Sequence, residues 1–347
     1  MKKLFLGVMA IAALVACNNE NVIEKSQATI AFGDSFVQSS NTKPVGRAAA
    51  DPTYNNDKTL LEAFDVWGFM TKNTGVVFDK ERVTRTAEGW SYSNLAYWTT
   101  NRDYKFAALA PVDHSNIEVT LAVDNKYLSE DGALGTVTFT NLDGTDDLLY
   151  TTQTASTGDT IAAEPAPVHL MFKHLLSKFK FTFTNGFANQ FTSMAISNVK
   201  MVVPAKGTID LTQPTPWVWN IVDATNTTTL EFGNTTAPAD ETVTSVGVGQ
   251  TLEVLNERLT FPLSTTQNIR IAYQVSFDVT LYQGDQIAYQ ETKTTTLEDI
   301  TLEMGRCYNI TATLNAENLK LKPIEFSVEV EPWIDGGEIA GGVVNFN

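Results

Sequence analysis

Apolar and polar residues alternate with a period of two along much of the chain. Phe179, Phe181 and Phe183 share one face of the run 178–184, and the same period recurs over 269–281, 308–314 and 324–330. These runs are rich in Thr, Val, Phe and Tyr, which fit a pleated surface, and clusters of Gly, Asn and Asp separate them. Strands with one apolar face pack in antiparallel sandwiches, whereas a parallel α/β sheet would need strands apolar on both faces. The pattern therefore predicts an all-β protein of antiparallel β-sandwiches. One stretch reads as helix: residues 58–64, behind Asp57 as an N-cap. A break over 155–168, containing Thr-Gly-Asp and Glu-Pro-Ala-Pro, predicts a boundary between two β domains, 48–166 and 167–347. Two further breaks, 213–216 and 233–240, read as long surface loops of the second.

The first residues follow a different logic. Lys2 and Lys3 precede an apolar stretch, 4–16, that ends at Cys17 in Leu14-Val15-Ala16-Cys17. That stretch is shorter than the roughly 20 residues a bilayer core requires, and small residues stand before a cut site, so it reads as an export signal. The tetrapeptide resembles the bacterial lipobox. The resemblance implies that residues 1–16 are removed and that Cys17 becomes an acylated N-terminus, held to a membrane by about 0.8 kcal/mol per buried methylene.

Composition narrows the chemistry. Cys307 is the only cysteine besides Cys17, so an acylated chain forms no intrachain disulfide; at 347 residues it can build ordinary cores without one. Cys307 alternates like a strand residue and reads as a small buried hydrophobe. The formal charge of −16 argues against nucleic acid or an anionic membrane surface as partner.

Little in the sequence points to catalysis. His169 and His174 are five residues apart, a spacing that puts them on one face of neither a helix nor a strand, and His114 is remote, so no metal site is expected. No His-Glu-x-x-His, cysteine pair or Gly-x-Ser-x-Gly elbow is present, and Gly247-Val248-Gly249-Gln250 reads as a bend. Asp143-Gly144-Thr145-Asp146-Asp147 lacks the downstream Glu of a calcium loop and reads as a turn. Trp90, Trp98, Tyr92 and Tyr97 could form a sugar-stacking platform, but aromatic residues on alternating strands are expected in the core. Spacing does not exclude a carboxylate pair for glycoside hydrolysis, which is the leading enzyme alternative. The expectation is a protein without catalytic residues, cofactor or metal.

Several stretches occur in one order over nearly the whole chain. They are the lipobox at Cys17, Ala28-Thr29-Ile30-Ala31-Phe32, Phe64-Asp65-Val66-Trp67-Gly68-Phe69, Gly89-Trp90-Ser91-Tyr92 with Tyr97-Trp98, and the run 104–111. The second half adds 172–179, Gly305-Arg306-Cys307-Tyr308 and Val330-Glu331-Pro332-Trp333. Together they resemble the fimbrillin family, lipoprotein-derived pilins of Gram-negative gut and oral anaerobes. The resemblance implies two transthyretin-like antiparallel β-sandwich domains and export to the outer membrane as a lipoprotein precursor, then incorporation into a cell-surface fimbrium. It implies as partners other fimbrial subunits, an Arg-specific trypsin-like protease, and a host or bacterial surface ligand. In polymerising members the protease removes an N-terminal segment with its first strand, and a strand from another subunit fills the groove left behind.

Carried onto this chain, residues 17–47 become a propeptide with a removable strand. Ile30 and Phe32 lie on one face of it, with Phe36 on the same parity. Arg47-Ala48 lies in a small-residue, turn-prone stretch open to a protease and is the expected cut. That cut would also discard Cys17, so the lipid would hold the subunit only during delivery. Arg82 and Arg85 are the other candidate sites, which burial in the first sandwich is expected to protect. At the far end Ile324, Phe326, Val328 and Val330 alternate with Glu325, Ser327, Glu329 and Glu331. Flexible Gly336-Gly337 and Gly341-Gly342 lead to Val343, Val344 and Phe346. The region 324–346 either holds a donor strand or packs in its own domain. The implied function is a structural fimbrial subunit supporting adhesion; a tip or anchor subunit, or a glycan-binding surface lipoprotein, is the alternative.

Overall fold

The period-two runs become strands, numbered β1 to β21 in chain order below. The computed structural model describes residues 28–33, 36–37, 61–70, 75–124, 126–188, 192–263, 273–297, 300–320 and 324–332. One sheet has the order β1-β9-β8-β5-β2-β3-β4. Its strands are β1 (Phe36–Val37), β2 (Ala63–Met70), β3 (Val76–Thr86), β4 (Gly89–Ser91), β5 (Asp103–Ala110), β8 (Leu149–Ser156) and β9 (Met171–His174). A second sheet, in the order β15-β16-β10-β20-β21, contains β10 (Ser177–Asn185), β15 (Thr235–Thr236), β16 (Thr251–Val254), β20 (Arg306–Leu314) and β21 (Phe326–Pro332); β17 (Arg258–Thr260) also pairs with β10. A third, β14-β11-β18-β19, is formed by β11 (Thr192–Pro204), β14 (Thr227–Gly233), β18 (Tyr273–Gln283) and β19 (Gln286–Leu297). The fourth, β13-β12-β7-β6, joins β6 (Ile117–Leu121) and β7 (Gly135–Thr140) to β12 (Lys206–Asp210) and β13 (Trp219–Ile221). The one helix among the described residues is α1, Ala316–Lys320.

Two cores organise these sheets. Strands β2 and β5 of the first sheet are apolar on both faces: Phe64 and Val66 of β2 and Phe106 and Ala108 of β5 face a smaller core, while Trp67, Phe69, Ala107 and Leu109 face a larger one. That double burial explains why 64–69 and 104–110 read as nearly continuous apolar runs in place of clean alternation. The larger core continues through Phe179, Phe181 and Phe183 of β10 and Val275, Phe277 and Val279 of β18, all fully buried. Cys307 is buried in β20, as expected of a small hydrophobe.

The helix expected over 58–64 is not formed where it is described: Ala63 and Phe64 open β2, opposite Thr84 and Val83. A helix of two turns is marginal by itself, and here ladders with both β3 and β5 outweigh it. The sheets also do not divide at 166/167. β9 pairs with β8 through Leu149↔His174 and Tyr150↔Lys173, and β12 pairs with β7 along Lys206↔Thr140 to Asp210↔Thr136. The turn-rich break therefore connects neighbouring strands of one sheet. Composition alone does not distinguish such a connection from an interdomain linker. Trp219, fully buried, pins the shared sheet by donating from Nε1 to the Leu175 carbonyl at 2.7 Å. Of the two expected loops, 213–216 lies in the β12–β13 connection, and 233–240 includes the short strand β15.

A strand-complementation cleft as the candidate functional site

Residues 28–33 complete the smaller core from a distant part of the sequence. On one side Ile30 N donates to Ala96 O at 2.8 Å and Trp98 N to Ala28 O at 2.9 Å, around the antiparallel bridge Thr29↔Tyr97. On the other, Val168 N donates to Ala31 O at 2.7 Å and Gly33 N to Val168 O at 2.9 Å, in a parallel bridge between Phe32 and Val168. The parallel course resumes where β1 pairs with β9 through Phe36↔Met171 and Val37↔Phe172. Between these walls Thr29 and Ala31 are exposed, whereas Ile30 is fully buried and Phe32 is 6% exposed.

Phe32 occupies an aromatic pocket. Its ring centroid lies 5.6 Å from Phe64, 5.6 Å from Phe78, 5.8 Å from Tyr92 and 6.5 Å from Phe106. The contacts with Phe64, Tyr92 and Phe106 are edge-on, the arrangement ring quadrupoles favour. Tyr92 adds a polar hold: its hydroxyl donates to the Ile30 carbonyl at 2.5 Å, and burial raises its pKa. Gly33 passes close beneath His169; a Cβ at Gly33 would sit 2.4 Å from His169 Cε1. The cleft thus offers two backbone edges and an apolar pocket, the surfaces that recognise an extended strand by β-augmentation.

The other sequence candidates lie at separate places in the fold. Trp98, 6% exposed, packs edge-on against Tyr104 at 4.7 Å, and Trp90 lies 5.1 Å from Phe64. With Tyr92 turned into the cleft and Tyr97 exposed, these aromatics form core and rim in place of a flat platform. His174 Nδ1 lies 3.0 Å from Asp147 Oδ1 and His114 Nδ1 3.3 Å from Asp146 Oδ2, while His169 lies over Gly33. No group of three metal-ligating side chains occurs among the described residues. Asp143 Oδ1 accepts from Thr145 N at 3.1 Å and Thr145 Oγ1 at 2.7 Å, bonds that lower its pKa and close a turn.

Arg82 is held in β3 by Asp65, at 3.0 Å from Nε, and by Asp113, at 2.8 Å from Nη2; both bonds raise its pKa. Arg85 lies opposite Trp90 of β4, and its N–H donates to Glu62 O at 2.8 Å. Burial is not what protects them: Arg82 is half-buried and Arg85 exposed, and both stand instead in strand ladders that an extended protease site would have to open.

At the C-terminal end β21 pairs antiparallel with β20 from Arg306↔Pro332 to Ala312↔Phe326. Ile324 is buried, and Phe326, Val328 and Val330 are half-buried against the larger core. Cys17, Arg47, Ala48, Val343, Val344 and Phe346 lie outside the described residues. The residues that wall the cleft, Ala96, Trp98, Val168 and Tyr92, carried no sequence signal of that role.

An all-β body of several antiparallel sheets, its smaller core closed by residues 28–33, defines a β-sandwich protein. The chain belongs to the fimbrillin-like family, whose model matches residues 47–333. No curated protein matches it. Among solved structures it resembles a fimbrial protein from Bacteroides vulgatus, with 18% identity and a TM-score of 0.53 over 78% of this chain and 93% of that one. It also resembles a candidate cell-adhesion protein from Bacteroides ovatus, with 16% identity and a TM-score of 0.50 over 90% of this chain and 99% of that one.

Proposed function

We propose that this chain is a structural subunit of a cell-surface fimbrium, delivered as an outer-membrane lipoprotein acylated at Cys17 and activated by cleavage between Arg47 and Ala48. An Arg-specific trypsin-like protease makes the cut. The observation that carries this reading is the burial of Ile30 and Phe32, on a strand N-terminal to Arg47, in a core otherwise built by residues C-terminal to it. Before the cut, residues 28–33 satisfy the cleft; after it, they can leave, exposing backbone edges and the pocket of Phe64, Phe78, Tyr92 and Phe106. A strand from a second subunit then restores both. The family match begins at residue 47, consistent with a body that starts there.

β21 is engaged with β20, so a donor drawn from it would first have to unzip that ladder. This favours the segment after Pro332 as donor. There Val344-Asn345-Phe346 repeats the apolar-x-Phe spacing of Ile30-Ala31-Phe32. Arg-specific proteolysis of the purified chain, followed by N-terminal sequencing and electron microscopy, tests the proposal. The expected product begins at Ala48 and forms multimers; a product that stays monomeric, or that retains residues before Ala48, sinks it.

A further inference from the structure

The outermost strand of the third sheet, β19, is twelve residues long and, among the described residues, pairs only with β18. Gln286 to Thr296 are all exposed or half-exposed; Leu297 alone is buried. A strand paired on one side directs roughly half of its backbone donors and acceptors outward, a template for another strand. Other edges are less suited to pair with their own copy. β21 centres on Glu329, which would face its symmetry mate, and ends at Pro332, which lacks a donor. β6 and β13 have five and three residues. β14 has seven residues, and the Leu142 carbonyl beside it accepts from Thr228 Oγ1 at 2.6 Å.

In β19 the sequence from Tyr289 to Thr295 is self-complementary about Thr292. An antiparallel pairing of two copies sets Thr292 opposite Thr292, Glu291 opposite Lys293, Gln290 opposite Thr294 and Tyr289 opposite Thr295. The faces match as well. Tyr289, Glu291, Lys293 and Thr295 stand opposite Leu281, Val279, Phe277 and Val275 of β18, on the core side, and Gln290, Thr292 and Thr294 lie on the outer side. A two-fold axis normal to the sheet keeps each set on its own face. Within one copy Lys293 Nζ contacts Glu291 Oε2 at 2.7 Å, and α1 reaches the same face of β19 through Leu319 O, which Lys293 Nζ meets at 2.6 Å; the backbone edge of β19 away from β18 is unpaired among the described residues. The register shift at Leu281/Tyr282 bounds the matching stretch at Tyr289.

We propose that β19 is a docking edge for a second copy of this chain, joining two four-stranded sheets side by side into one continuous sheet about a two-fold axis at Thr292. The contact uses neither the cleft nor cleavage, so it stands or falls independently of the assembly route above.

Sedimentation of the full chain carrying Cys17→Ser, which removes the acylation site, tests it. The expected result is a reversible dimer. Glu291→Lys alone and Lys293→Glu alone each set like charges across the axis and weaken association about tenfold, while a mixture of the two variants pairs as tightly as the parent. Under mild oxidation Thr292→Cys crosslinks to its own copy, whereas Gln290→Cys does so only when mixed with Thr294→Cys. A chain that stays monomeric at high micromolar concentration overturns the proposal, as does self-crosslinking of Gln290→Cys equal to that of Thr292→Cys. Failure of the charge-reversal mixture to recover pairing also overturns it, with circular dichroism confirming that each variant is folded.

Discussion

Phe32 meets Phe64 edge to face, with ring centroids 5.6 Å apart and planes at 82°, although no ladder joins their two segments. Side-chain burial therefore carries much of the hold on residues 28–33. Phe32→Ala is expected to destabilise the intact chain by about 3–5 kcal/mol in urea unfolding, the usual range for truncating a buried Phe. In the Arg-cleaved, strand-depleted product the same substitution should leave the midpoint unchanged, because the segment is gone.

Tyr92→Phe removes the bond to the Ile30 carbonyl and the longer one, 3.5 Å, that the hydroxyl accepts from Ala96 N. The expected loss is about 0.5–1.5 kcal/mol. It should show as faster release of the N-terminal segment after cleavage, followed by size-exclusion chromatography, with the body's own unfolding midpoint nearly unchanged.

Arg47→Ala is expected to abolish limited conversion by an Arg-specific protease under native conditions. Arg82 and Arg85, held in β3 by ion pairs and ladder bonds, should stay uncut. Mass spectrometry of the digest decides. Native cleavage at Arg82 would show that the β3 ladder opens far more readily than its bonds imply.

Trp219→Phe leaves the buried Leu175 carbonyl without its donor at 2.7 Å. A cost of about 1–3 kcal/mol is expected. Because β12 and β13 share a sheet with β6 and β7, unfolding followed by Trp fluorescence and by far-UV circular dichroism should remain one coincident transition.

Alkaline pH should unfold the protein through its buried phenols. Burial raises the pKa of Tyr150 and Tyr273 and pushes Tyr308 up to about 12. Unfolded tyrosines ionise near pH 10, so the unfolded chain releases protons first as pH rises. The stability contributed by Tyr308 is thus fully present below about pH 10 and is lost as pH climbs towards about 12. Phenolate absorbance near 295 nm should show a late class of tyrosines ionising together with loss of the β-sheet signal.

The sequence by itself determined the all-β class. Alternation in 178–184 and 324–330 follows from the pleat, which is local and needs no knowledge of partners. It also marked Ile30 and Phe32 as one apolar face, for the same reason. Tertiary structure decided what that face meets: the pocket draws Phe64, Phe78, Tyr92 and Phe106 from three strands and a loop, a convergence with no sequence spacing. It likewise overrode the short helix at 63–64, where two ladders outweigh local propensity, and it crossed the expected boundary by pairing β12 with β7. Strand pairing across long separations depends on which surfaces remain unburied once neighbouring elements have packed. That is a property of the assembled chain, whereas the period of two belongs to each segment alone.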